Sequence, residues 1–156
     1  FDKICFGYDR DNFYLRFYIN DYVRESSIGN DRTYQMYVYT RNSSKKHSLS
    51  PVRLINKTEN ILPITKQKFH NELQLAVKNG EVRLVRLIKS IQGNMWVLDD
   101  AKDITCVLGK VIDIKVPFSN LDIGYDENME FVFVNAAAGV SDLFIPNEML
   151  LNIKRD

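Results

Sequence analysis

The sequence predicts an all-β chain folded as an antiparallel β-sandwich, immunoglobulin-like or jelly-roll-like, with about nine or ten strands. Three observations lead there. Apolar residues alternate with polar ones along most of the chain, no long capped helical period interrupts them, and turn-forming Gly, Pro, Asn and Asp punctuate the alternating stretches. A length of 156 residues suits one domain spanning 1–156 with a single continuous core.

The first strand alternates Ile4, Phe6 and Tyr8 with Cys5 and Gly7. Asp9 to Asn12 form a polar turn into a second strand, which completes a hairpin. That strand carries Phe13, Leu15, Phe17 and Ile19 on one face and Tyr14, Arg16, Tyr18 and Asn20 on the other. Successive strand side chains point to opposite sides, so burying the first set exposes the tyrosines of the second. A third strand follows through Tyr34, Met36 and Val38, with Gln35, Tyr37 and Tyr39 opposite. Residues 41–68 hold two prolines and no clear period, so the pattern predicts a long loop with one or two short extended pieces.

"NELQLAV" and "EVRLVRLI" flank Asn79 and Gly80, the signature of a second hairpin. "GNMWVL", "DITCVLG" and "VIDIKVPF" are three further strands. The last turns Ile112, Ile114 and Val116 inward and Asp113 and Lys115 outward, and it stops at Pro117, which cannot donate to a ladder. "SNLDIG" predicts one short helical turn capped by Ser119 or Asn120. "NMEFVFVNAAAG" and "EMLLNIKRD" close the fold.

Charge is nearly balanced, 21 Lys and Arg against 20 Asp and Glu, which argues against a nucleic-acid partner. No apolar run is long enough to span a membrane, so no membrane partner is expected. Cys5 and Cys106 lack the number and spacing of a zinc site or disulfide framework and are expected as buried free thiols. The chain begins at Phe1, directly before a strand and without an initiator Met, as a piece of a longer polypeptide would; its compartment stays unread.

Catalytic signatures are missing. There is no nucleophile elbow or dinucleotide fingerprint, and seven glycines leave little for a phosphate cradle. His47 and His70 lack the partners a zinc site needs, so no metal ligation is expected of them. The carboxylate pairs Asp9 with Asp11, Asp99 with Asp100, and Asp126 with Glu127 fall where polar turns are expected. Asp9, Asp11 and Asp21 offer the oxygen ligands calcium takes from loops, though without the Gly and Glu of the calcium helix-loop-helix pattern. Apart from that calcium option no cofactor is expected. Asn42 and Asn56 stand in N-glycosylation acceptor patterns, which count only in a secretory setting.

The opening "KICFGYDRDNFYLRFYIND" resembles the strand-turn-strand that begins the C-terminal β-sandwich domains of family 57 glycoside hydrolases, the α-amylase, amylopullulanase and 4-α-glucanotransferase type. "VIDIKVPFSNLDIGYDENMEFVFVN" and "FIPNEMLLNIK" are similar to later segments of the same domain, and "FHNELQLAV" and "GNMWVL" fall between them in the expected order. Family 9 carbohydrate-binding modules and the DOMON group show similar strand logic. The family 9 clamp uses two tryptophans where this chain has one, Trp96, and no Met and His pair for haem stands out.

The resemblance implies a noncatalytic accessory domain beside a starch- or glycogen-processing catalytic domain of the same chain, and an α-glucan or other carbohydrate is the ligand expected of a binding role. Exposed aromatic rings would stack on glucose units while polar neighbours hydrogen-bond the hydroxyls. The platform residues expected are Trp96, Tyr37, Tyr39, Tyr14 and Tyr18, the four tyrosines forming one flat surface if they share a sheet face. The alternative is a structural domain that packs on its catalytic neighbour and binds no sugar, with Trp96 in the core and the tyrosines under a loop or partner domain. An aromatic face without hydrogen-bonding side chains would favour it.

Overall fold

The computed structural model describes residues 3–19, 21, 33–45, 50–51, 68–78, 81–91, 95–99, 103–108, 111–137, 140–145 and 150–156. Within them the fold is an all-β antiparallel sandwich of two sheets. β1 (Lys3–Tyr8), β2 (Asn12–Tyr18), β9 (Thr105–Leu108) and β10 (Val111–Pro117) form a four-stranded sheet in the order β1-β2-β10-β9. The larger sheet runs β12 (Val140–Ile145), β11 (Asn128–Ala137), β3 (Thr33–Asn42), β6 (Asn71–Lys78), β7 (Glu81–Ile91) and β8 (Met95–Asp99). β13 (Leu151–Lys154) also pairs with β11, so β12 and β13 share one edge of that strand. β4 (Ser50–Pro51) and β5 (Lys68–Phe69) form a separate two-residue ladder.

The strand number exceeds the nine or ten expected for two reasons. The short ladder supplies the extended pieces foreseen within residues 41–68, and β12, "VSDLFI", mixes polar and apolar residues on both parities and escapes a period-two search. Asn79, Gly80, Asn20, His47 and Asn56 lie outside the described residues, although β6 and β7 pair down to Lys78 opposite Glu81, as a hairpin requires. The predicted helical turn is a 3-10 turn at Phe118–Leu121. It begins before the expected caps, so Ser119 and Asn120 do not cap it. Asp122, in the left-handed region at φ 58°, closes it with its N–H on the Ser119 carbonyl.

The core lies between the sheets and is assembled from inward faces. Phe13, Leu15 and Phe17 of β2 and Ile112, Ile114 and Val116 of β10 meet Met36, Val38, Leu73, Leu75, Phe131 and Phe133. Edge-to-face rings fix the layer spacing: Phe13 on Phe131 at 5.1 Å and Phe17 on Phe133 at 6.2 Å between centroids. Such pairs add about 0.5–1.5 kcal/mol beyond their burial. One end is clasped by Arg155. Its guanidinium lies 3.9 Å from the Tyr125 ring centroid and donates to the Arg10 and Ile123 carbonyls, while Tyr125 donates to Asp11. No helix among the described residues is long and apolar enough to cross a membrane.

Candidate functional site

The tyrosines divide between the sheets. Tyr37 and Tyr39 lie on the outer face of the larger sheet, where Tyr39 pairs across strands with Val132 and Glu72. Both are buried, at 4% and 0% exposure. They form a second apolar cluster with Phe69, Val132 and Val134, against which Trp96 and Leu150 pack. Trp96 meets Tyr39 edge-on at 6.0 Å. Polar groups in this layer bond inward: the Tyr39 hydroxyl donates to Glu72, Gln74 to the Tyr37 hydroxyl, and Arg86 to Gln74. The single four-tyrosine surface therefore does not form, and Trp96, Tyr37 and Tyr39 make a packed layer rather than an open platform. The physical cause is sheet membership: β2 and β3 belong to different sheets, a matter of long-range pairing.

Tyr14 and Tyr18 are on the outer face of the four-stranded sheet, and this face is open. β2 alternates buried Phe13, Leu15 and Phe17 with exposed Tyr14 and Arg16 and half-buried Tyr18. Antiparallel register builds three cross-strand rows: Gly7, Tyr14, Lys115 and Thr105; then Cys5, Arg16, Asp113 and Val107; then Lys3, Tyr18 and Val111. These rows line most of a groove of about 440 Å³, a volume within the usual range for small-molecule and saccharide sites. Tyr14 and Tyr18 are four residues apart along one strand, so their Cα atoms stand about 13 Å apart at the strand rise.

Each part of the groove is held in place. Asp9 caps the β1–β2 turn by accepting from the Asp11 and Asn12 amides, and its second oxygen accepts from the Tyr14 hydroxyl at 2.6 Å. The Tyr14 bond, helped by the two amides, lowers the Asp9 pKa to about 2, and the same contact raises that of Tyr14. Arg16 donates from Nε and Nη2 to the two Asp113 oxygens at 2.5 and 2.8 Å, a bidentate pair at the centre of the groove. That pairing holds the Asp113 carboxyl below its ordinary range. Gly7 faces Tyr14 across β1 and β2, and a methyl group built there would meet no atom within 4 Å. A larger residue would occupy the space beside the Tyr14 ring.

The remaining expected residues have structural surroundings. Neither thiol is fully buried, contrary to expectation: Cys5 lines the groove, while Cys106 rests against the core, where burial raises its pKa. His70 accepts the Asn42 amide N–H on Nδ1. The Asn42 side chain is buried and donates to Glu127 and the Asp122 carbonyl. Burial pushes the Glu127 pKa up, but the Gly124 amide, Asn42 and Lys45 outweigh it and hold the carboxyl below its usual value. Among the described residues no three His, Cys, Asp or Glu side chains gather as a metal site would require.

Sequence reasoning placed Tyr14 and Tyr18 on the exposed face and Asp113 and Lys115 outward. It missed that Arg16 pairs with Asp113, and that Gly7 opens the wall. Arg16 and Asp113 are 97 residues apart, so only the β2–β10 register joins them. No protein-family model, curated protein or solved structure matches the chain.

Proposed function

We propose that this domain is a noncatalytic carbohydrate-binding module, and that its ligand, an α-glucan, lies in the groove on the outer face of the four-stranded sheet. One observation carries the reading. Two accessible tyrosines flank an accessible bidentate Arg16–Asp113 pair in one groove, joining stacking faces to hydrogen-bonding groups as saccharide recognition requires. Aromatic faces can stack on the apolar faces of sugar rings while Arg16, Thr105 and the tyrosine hydroxyls serve the sugar hydroxyls. The choice of α-glucan, and of a starch- or glycogen-processing parent enzyme, rests on the family 57 resemblance of the segments quoted above.

A structural role beside a catalytic neighbour has its own supporting observation. Strand β8, at the opposite sheet's edge, exposes Met95, Val97 and Leu98, apolar side chains of the kind that partner domains cover. The two roles use different surfaces and are compatible.

Calorimetric titration with maltooligosaccharides and soluble starch tests the first reading. The expected result is saturable heat that Tyr14→Ala and Tyr18→Ala abolish without loss of fold and that Trp96→Phe leaves intact. Absence of heat at millimolar sugar overturns the assignment of a neutral α-glucan as ligand.

A further inference from the structure

Each groove tyrosine has a lysine as cross-strand neighbour. Lys115 is the register partner of Tyr14, and Lys3 that of Tyr18, with the Lys3 ammonium 5.6 Å from the Tyr18 ring centroid. Neither lysine forms an ion pair among the described residues.

The acidic groups nearby are already engaged. Asp113, the acidic side chain lining the groove, holds Arg16 through both oxygens. Asp9, at the Tyr14 end, accepts from the turn amides and the Tyr14 hydroxyl. The groups left to meet a ligand are weighted toward donors: the Lys115 ammonium in the groove, the Lys3 ammonium beside the Tyr18 ring and the remaining Arg16 N–H groups only donate, while the Thr105 hydroxyl both donates and accepts. An ammonium donates and never accepts. Neutral sugar hydroxyls need donors and acceptors together, whereas phosphate or carboxylate oxygens only accept.

We infer that the groove selects a saccharide carrying anionic substituents, phosphate monoesters or carboxylates, over the neutral chain. This rests on the carbohydrate reading of the groove and specifies its ligand class. Lysine fits the role because a flexible point charge meets an anion at varied positions along a chain, whereas the planar Arg16 fork is committed to Asp113.

The test is calorimetric titration of the whole chain, at low salt, with four probes: neutral maltoheptaose, a phosphate-bearing maltodextrin, an oligouronate, and inorganic tripolyphosphate, which has charge without a sugar ring. At least one anionic saccharide is expected to bind about fivefold tighter than maltoheptaose, with the advantage shrinking as salt rises. Lys3→Gln and Lys115→Gln should each weaken it by about twofold to fivefold, the range of an exposed ion pair. Lys154→Gln, on the other sheet, should not. A preference for phosphate or for uronate identifies the source of the anion, and either supports the inference. Equal affinity for neutral and anionic chains, unmoved by the lysine variants, overturns it and leaves the carbohydrate reading standing. Tripolyphosphate binding as tightly as the saccharides, unaffected by Tyr14→Ala, overturns it by removing the ring from recognition. No heat with any saccharide removes the carbohydrate reading itself.

Discussion

Tyr14 and Tyr18 on one sheet and Tyr37 and Tyr39 on the other occupy alternate positions of amphipathic strands, yet one pair meets solvent and the other does not. The four-stranded sheet buries its inner face and leaves the outer one open. The larger sheet is buried on both faces at its centre, so that β6 hides Asn71, Glu72 and Gln74 along with Leu73 and Leu75. Where a polar side chain is buried it must find a partner, and Glu72 and Gln74 find the tyrosine hydroxyls. The same residue type is thus the proposed ligand platform on the thin side and a structural donor on the thick side. What differs is the second layer that packs on the sheet.

Three substitutions probe that contrast. The largest effect is expected from Tyr39→Ala, which empties a fully buried site against Phe69 and Trp96 and strips Glu72 of a donor. A loss of about 3–5 kcal/mol is expected from aromatic truncation in a core, read as a lower urea midpoint. Tyr14→Ala should leave the midpoint nearly unmoved, and equal losses from the two would erase the distinction between the sheets. Gly7→Val sharpens it. The space beside Gly7 is open and valine suits a strand better than glycine, so stability should hold or rise by up to about 1 kcal/mol, while saccharide titration should lose most of its heat because the valine fills the wall of the groove.

The smallest effect concerns pH. Asp9 has a folded pKa of about 2 against an ordinary 3.8. A carboxyl whose pKa is depressed by folding adds stability above its unfolded value and loses it as pH falls through the folded one. Urea midpoints of the wild type should therefore fall between about pH 4 and pH 2, and Asp9→Asn should flatten part of that slope. An unchanged slope would mean that the turn does not depend on this carboxylate.

Much of the fold was legible in local pattern. Phe13, Leu15, Phe17, Ile112, Ile114 and Val116 all point inward as alternation requires, with Asp113 and Lys115 outward. Alternation assigns a face, however, and not the sheet to which the face belongs. Tyr37 and Tyr39 have the same local signature as Tyr14 and Tyr18, and only the packing of Phe69, Trp96 and Leu150 against that face encloses them. Trp96 was equally unreadable: it is partly buried and packs edge-on against Tyr39, 57 positions earlier in the chain. The Arg16–Asp113 pair needed the β2–β10 register, which no short stretch encodes.

The Arg155 clasp has a kinetic consequence. Arg155 joins a carbonyl 145 positions away, at Arg10, and nearly every sheet contact of β2 with β10 spans a comparably long loop. Such contacts are closed late and slowly, because the entropy of the intervening chain must be lost before they form. An interaction absent from the transition state acts on escape from the native basin rather than on entry to it. Replacing Arg155 by Met should accordingly raise the unfolding rate while leaving the refolding rate nearly constant, which makes the clasp a latch on the lifetime of the folded state.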